Sequence, residues 1–158
     1  MPAQPKGGQD RQGNGSSFHR QGNGSSFQSV YAEVFCHPTE DLQRVLAAFR
    51  TVCGNMEAKR EKVPSHYGPE IVKLTLSSTR PVDIKRVVEA VRALRLHDIG
   101  ERVDDAGYFF ARFDKQAAFR GTLAESGGGD VVKVKLKVAV YPFNAEKARE
   151  KARECLLG

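Results

Sequence analysis

The run Val131–Tyr141 reads VVKVKLKVAVY. Val132, Val134, Leu136, Val138 and Val140 fall on one side of an extended chain. Lys133, Lys135 and Lys137 fall on the other, followed by Ala139 and Tyr141. Period-two alternation this strict is the pattern of a half-buried strand; an amphipathic helix needs apolar residues every three or four positions. Same-face residues on a strand recur about every 6.6 Å, so three ammonium groups stand in a row above an apolar floor. Two readings of that row stay open. It grips a polyanion backbone, or it is only a wet sheet face, for instance an edge strand guarded by lysines against aggregation.

The preceding segments supply a sheet for this strand to join. Val30–His37 alternates as a first strand, and Pro38-Thr39 opens a helix with Thr39 as N-cap and Glu40 and Asp41 at its positive end. Leu42, Val45, Leu46 and Phe49 form its core-facing stripe, and Gly54 ends it. Met56–Val63, highly charged, reads as a short or edge strand, joined through the turn-rich Pro64–Pro69 to a third strand at Ile71–Ser77. Thr79 and Pro81 start a second helix with Ile84, Val87, Val88, Val91 and Leu94 inward and Lys85, Arg86, Arg92 and Arg95 outward. His97–Asp105 is irregular or briefly helical, and Tyr108–Phe113 is a fourth strand. Asp114 caps a single turn, Lys115–Arg120, that stops at Gly121. Asn144 caps a last helix whose apolar face is Ala148, Ala152, Cys155 and Leu156. The order β-α-β-β-α-β-(short α)-β-α lacks regular βαβ repetition. The expected fold is therefore α+β, a two-layer sandwich with a mostly antiparallel sheet and helices packed on one face.

Residues 1 to 28 have a different texture. RQGNGSSF occurs at Arg11–Phe18 and again at Arg20–Phe27, within a Gly-, Ser- and Gln-rich stretch too poor in apolar surface to offset ordering entropy. This tail is expected to be disordered, with residues 29–158 forming one α+β domain; an arm that touches a nucleic acid through Arg11, Arg20, Phe18 and Phe27 is a further reading. The three cysteines, Cys36, Cys53 and Cys155, are odd in number and form no CxxC pair, as in a reduced, intracellular protein. The start has no apolar h-region, and no run approaches a membrane span. The expectation is a cytoplasmic protein without membrane attachment.

Catalytic constellations are weak. His19, His37, His66 and His97 show no HxH or HxxxH spacing, and Cys36 and His37, adjacent on a strand, face opposite sides. No phosphate-cradling GxxxxGK[ST] loop or dinucleotide-binding GxGxxG is present. Asp104-Asp105 before Gly107 is either a turn or a Mg²⁺ pair of a ribonuclease. No enzyme activity and no cofactor are expected. Cations cluster better: Arg112, Lys115, Arg120, Lys133, Lys135 and Lys137 stand against Asp114, Glu125 and Asp130, within a chain of formal charge +6. Tyr108, Phe110 and Phe119 are interleaved; most are expected in the core, and any left exposed would stack on unpaired bases. Gln116 and Tyr108 are candidate base or sugar contacts, the cations candidate phosphate contacts.

Arg102–Gly107, Arg112–Ala118 with Gly121, Phe35–Asp41, Ser65–Gly68 and Lys135–Pro142 together resemble an archaeal family of small RNA-binding proteins predicted to be exosome-associated. The likeness spans Ser29 to Arg153, and the DKQAA segment before Gly121 is its most specific piece. It departs from the family at Pro69 and at Phe143-Asn144, and the repeated tail has no counterpart. The resemblance implies a fold like that of the large-subunit ribosomal protein that binds 5S RNA. It implies RNA binding without catalysis, beside exosome, RNase P or ribosome components. The alternatives are an adaptor that docks on an acidic protein subunit through the second helix or the lysine strand, and a metal-dependent ribonuclease using Asp104 and Asp105.

Overall fold

A computed structural model of the chain describes residues 26–64 and 68–157. The tail up to residue 25 and Ser65, His66 and Tyr67 lie outside the described residues, and with them the readings placed on Arg11, Phe18, His19 and Arg20. Within the described residues five strands form one antiparallel sheet: β1 (Phe27–Cys36), β2 (Lys59–Val63), β3 (Ile71–Ser78), β4 (Tyr108–Asp114) and β5 (Val131–Val138), in the order β2-β3-β1-β5-β4. Among the described residues four α-helices accompany it: α1 (Leu42–Cys53), α2 (Pro81–Ala93), α3 (Lys115–Phe119) and α4 (Ala145–Leu157), with a 3-10 turn at Gly100–Arg102. The fold is the expected α+β two-layer sandwich.

Strand alternation builds the core. Val30, Ala32, Val34 and Cys36 of β1 share the covered side with Leu74 and Leu76 of β3, Phe109, Ala111 and Phe113 of β4, and Val132, Val134, Leu136 and Val138 of β5; all are buried. The helices supply the opposing layer. Val45, Leu46, Phe49 and Val52 come from α1, Ile84, Val87, Val88 and Val91 from α2, and Ala148, Ala152, Cys155 and Leu156 from α4. Each large aliphatic removed from water in this way contributes about 1.5–3 kcal/mol before entropy is counted. Leu94, expected in the α2 stripe, is only partly buried, because the helix ends one residue before it.

Several boundaries move for identifiable reasons. β1 begins at Phe27, whose ring is buried opposite Val138, so this phenylalanine belongs to the core and not to the tail. The N-cap of α1 is Asp41 instead of Thr39: a turn forms first, with the Glu40 N–H donating to the His37 carbonyl at 2.9 Å, and Asp41 Oδ1 then accepts from the Gln43 N–H at 3.0 Å. β2 is confined to Lys59–Val63, while Met56 and Ala58 pack on the core ahead of it. As expected, Asp114 caps α3, its Oδ1 accepting from the Ala117 N–H at 2.9 Å, and Asn144 caps α4 through the Lys147 N–H. The lysine strand β5 pairs on both sides, with β1 and with β4. The edge-strand reading of its lysines therefore does not hold; they stand at the middle of a sheet.

Candidate nucleic-acid interface

Because β5 lies between β1 and β4, its lysines acquire neighbours that no local pattern specifies. The register places Phe110, Lys135, Tyr31 and Ser77 in one cross-strand row and Arg112, Lys133, Glu33 and Thr75 in the next. Tyr108 stands opposite Lys137, and Phe35 opposite Lys73. These side chains form the side of the sheet opposite the helix layer. Lys59, Lys73, Arg112, Lys133, Lys135 and Lys137 face Glu33 and Glu61 as the acidic groups of that surface, so the balance is strongly positive.

Aromatic rings hold the lysines in place. Lys135 Nζ lies 5.3 Å from the Tyr31 ring centre and 4.7 Å from that of Tyr108. Lys137 Nζ lies 4.7 Å from Tyr108 and 5.3 Å from Phe143, and donates to the Ala106 carbonyl at 2.5 Å. Each ammonium against a ring face is stabilised by about 0.5–1 kcal/mol at an exposed site. Gly107 makes room for this stack: its φ is +87°, and a Cβ there would stand 2.7 Å from Cε1 of Phe143. Phe110 is 44% exposed and Phe143 48%, so two ring faces meet solvent directly.

Glu33 occupies the centre of the surface. Its Oε1 accepts from the Tyr31 hydroxyl at 2.9 Å and lies 3.6 Å from Lys73 Nζ; its Oε2 lies 4.0 Å from Lys133 Nζ. Burial, together with the hydrogen bond to Glu33 and the charges of Glu33 and Glu61, pushes the Tyr31 phenol from 10.0 up to about 12. One carboxylate thus faces two lysines and a neutral phenol, which leaves the cations in excess.

Of the expected contact residues, Arg112, Lys133, Lys135, Lys137 and Tyr108 come together on this open side. Lys115 does not. It is buried, and its Nζ donates to the Phe35 carbonyl at 2.8 Å, to Glu40 at 2.8 Å and to Asp130 at 2.7 Å. A buried ammonium enclosed by two carboxylates and a carbonyl has no donor left for a phosphate, so Lys115 is corrected from ligand contact to internal tie. Burial works to raise the Asp130 carboxyl, but hydrogen bonds from Lys115 and Gln116 and the Lys115 charge bring it below its usual value. His37, Glu40 and Asp130 have metal-ligand spacing, yet the Lys115 ammonium already sits between the two acids. Gln116 is exposed and donates to Asp130 at 3.3 Å, and Arg120 is exposed at the end of α3; that helix packs on α1 in the helix layer, apart from the lysine row.

The aromatics also divide differently from expectation. None of Tyr108, Phe110 and Phe119 is a core residue. Phe119 lies under the Arg44 guanidinium at 5.3 Å on the helix side. The acidic pair forms a turn: Asp104 Oδ1 accepts from the Ala106 and Tyr108 N–H groups at 3.0 and 2.9 Å, and Asp105 pairs with Arg149 at 2.8 Å. Tyr31, Glu33, Phe35, Lys73 and Phe143 join the surface without having been singled out. Alternation in β1 exposes the first three, but that β1 adjoins β5 is a property of the sheet order. Cys36, Cys53 and Cys155 are all buried; burial pushes Cys53 up to about 12. No helix of the described residues is long and apolar enough to cross a membrane.

Known proteins share this fold. A family model described as RNA binding matches residues 29–138. A Pyrococcus abyssi protein that bears the name RNA-binding protein is 28% identical over 144 residues, covering 82% of this chain and 94% of its own. Among solved structures, a DUF54 protein from Methanothermobacter thermautotrophicus matches with TM-score 0.74 at 27% identity, over 82% of this chain and 98% of its own. A DUF54 protein from Archaeoglobus fulgidus matches with TM-score 0.70 at 30% identity, over 82% and 99% respectively. The span of the family match includes all five strands except the first two residues of β1, and so the whole lysine-bearing surface. By that match, and by a relative at 30% identity over nearly its full length, this chain belongs to the RNA-binding family.

Proposed function

We propose that the chain is a non-catalytic RNA-binding protein that uses the open side of its sheet. The observation that carries this reading is the union of Lys73, Arg112, Lys133, Lys135 and Lys137 with Tyr31, Tyr108 and Phe110 on one side of the sheet, opposite the helix layer of the described residues. Cations spaced along a strand neutralise successive phosphates, and phosphate contacts position a strand without reading it. Rings lying between them offer stacking platforms for unpaired bases, a combination typical of single-strand binding. Membership of the RNA-binding family supports RNA over other polyanions. The engagement of Asp104 with two backbone amides supports a binding role over metal-dependent cleavage.

The wider setting rests on the sequence resemblance. In this proposal the protein works in the cytoplasm beside RNA-processing machinery of the exosome type, or with RNase P or ribosome components, and shares its fold with the 5S-RNA-binding ribosomal protein. The test is ultraviolet crosslinking to RNA in cells, with linked peptide and transcript both sequenced. Crosslinks should map to β4 and β5 peptides containing Tyr108, Phe110 and Lys133–Lys137. Crosslinks confined to α1 or α2, or protein partners retained after nuclease treatment with no RNA crosslink at all, would replace this reading with that of an adaptor.

A further inference from the structure

Among the recesses of this surface is a hollow of about 220 Å³, lined by Tyr31, Glu33, Phe110, Lys133, Val134 and Lys135. Its wall is a half-exposed phenyl ring and its rim is two ammonium groups, but it also holds a carboxylate. A surface built only to hold phosphates has no use for an acid at its centre, since Glu33 repels the backbone it would bind. Nor does its own network use Glu33 up: Lys73 Nζ pairs with Oε1 from 3.6 Å, too far to occupy a lone pair. The Tyr31 hydroxyl takes one lone pair of Oε1 at 2.9 Å, while Lys133 stands 4.0 Å from Oε2, beyond hydrogen-bond distance. An ionised carboxylate accepts about four hydrogen bonds. Glu33 therefore retains acceptor capacity toward the recess, with a lysine beside it as donor.

We infer that this recess selects an unpaired guanine base, a reading that rests on the open side of the sheet being the RNA surface. Single-stranded bases are recognised by stacking on a ring and by hydrogen bonds to their Watson–Crick edge. The guanine edge carries two adjacent donors, N1–H and the N2 amino group, followed by the O6 acceptor. Two donors match the carboxylate of Glu33, and O6 matches the ammonium of Lys133, while the base plane lies on Phe110. Adenine and cytosine each present one donor beside a ring-nitrogen acceptor, which would face the second carboxylate oxygen. Uracil presents one donor between two carbonyls. Only guanine satisfies both the acid and the cation.

The test is fluorescence anisotropy of the full chain with labelled uridine oligonucleotides carrying, at one position, guanosine, inosine, adenosine, cytidine or uridine. Inosine keeps N1–H and O6 and lacks the N2 amino group. Guanosine is expected to bind at least tenfold more tightly than uridine, and inosine to lose most of that gain, the loss expected for one charge-assisted hydrogen bond. Glu33→Gln should erase the guanosine preference while strengthening binding to the all-uridine strand, because it removes the acid between Lys73 and Lys133. Should Glu33→Gln not fold, the inosine series on the unaltered protein still decides, and Phe110→Ala, at a half-exposed position, should weaken single strands and leave a fully paired duplex of equal length unaffected. Equal, salt-dependent affinity for all five oligonucleotides would overturn the guanine reading and leave the RNA-binding surface intact. Preference for adenosine or cytidine would overturn it too, and absence of binding to every oligonucleotide would defeat the surface itself.

Discussion

Phe109 and Phe110 are neighbours on β4, yet Phe109 is wholly buried against the helices while Phe110 is 44% exposed beside Lys135. The same division runs through the sheet: Val132, Val134 and Leu136 face the core, and Lys133, Lys135 and Lys137 face out. One side is apolar and close-packed, and the other is cationic with rings between the charges. A strand with period two thus keeps stability and recognition on separate sides, so that residues one position apart answer to different demands. Lys115 is the instructive exception, a cation that belongs with the buried side.

The largest expected effect is on the covered side. Phe109→Ala should cost about 3–5 kcal/mol of unfolding free energy in urea melts, since it empties a fully buried ring site. Phe110→Ala should cost less than about 1 kcal/mol, as a half-exposed ring loses little packing. Comparable losses at the two positions would break the division between the sides.

Lys115→Met sharpens it next. Removal of the ammonium leaves Glu40, Asp130 and the Phe35 carbonyl without their shared donor. The expected cost is about 2 kcal/mol, below the usual range for a broken buried pair because Asp130 is half exposed and solvent takes over part of the charge. RNA affinity of the folded protein should stay within about twofold, since buried Lys115 meets no ligand. A tenfold loss of affinity in a fully folded Lys115→Met protein would place this lysine back among the contacts.

A smaller effect reports on the centre of the open side. Tyr31 holds its proton up to about 12 in the folded chain, above its ordinary 10.0. The folded state therefore binds more protons than the unfolded state between those two values, and stability from this group is full below 10.0 and declines as pH rises toward about 12. Tyrosinate absorbance should show a late-titrating component that disappears in Tyr31→Phe and moves to lower pH in Glu33→Gln. A phenol that ionises with the ordinary value would mean that Glu33 is not its partner.

Much of the fold was legible from local pattern. Alternation located β5, the i, i+3, i+4 stripe located α2, and Asp114 and Asn144 marked helix starts through short side chains able to accept from backbone amides. What stayed hidden depended on partners distant in the chain. That β5 lies between β1 and β4 is fixed by long-range pairing, so its lysines carried the look of an edge strand. Lys115 looks like any other cation of its cluster in the sequence because its acids, Glu40 and Asp130, lie 75 and 15 positions away and only the tertiary fold brings them around it. Tyr31, Glu33 and Phe35 had alternation but no cue to which strand they would face. Charge density in the sequence found the region, and register decided its members.

The central claim, that the row on β5 carries phosphate binding, is tested most directly by the salt dependence of affinity for a single-stranded RNA. With about four phosphates engaged, the logarithm of the association constant should fall against the logarithm of salt with a slope of about −3. Replacement of Lys133, Lys135 and Lys137 together by Ala should bring the slope to about −1 and lower affinity about a hundredfold at low salt for all sequences, with the fold unchanged by circular dichroism. An unaltered slope in the folded triple variant would contradict the account.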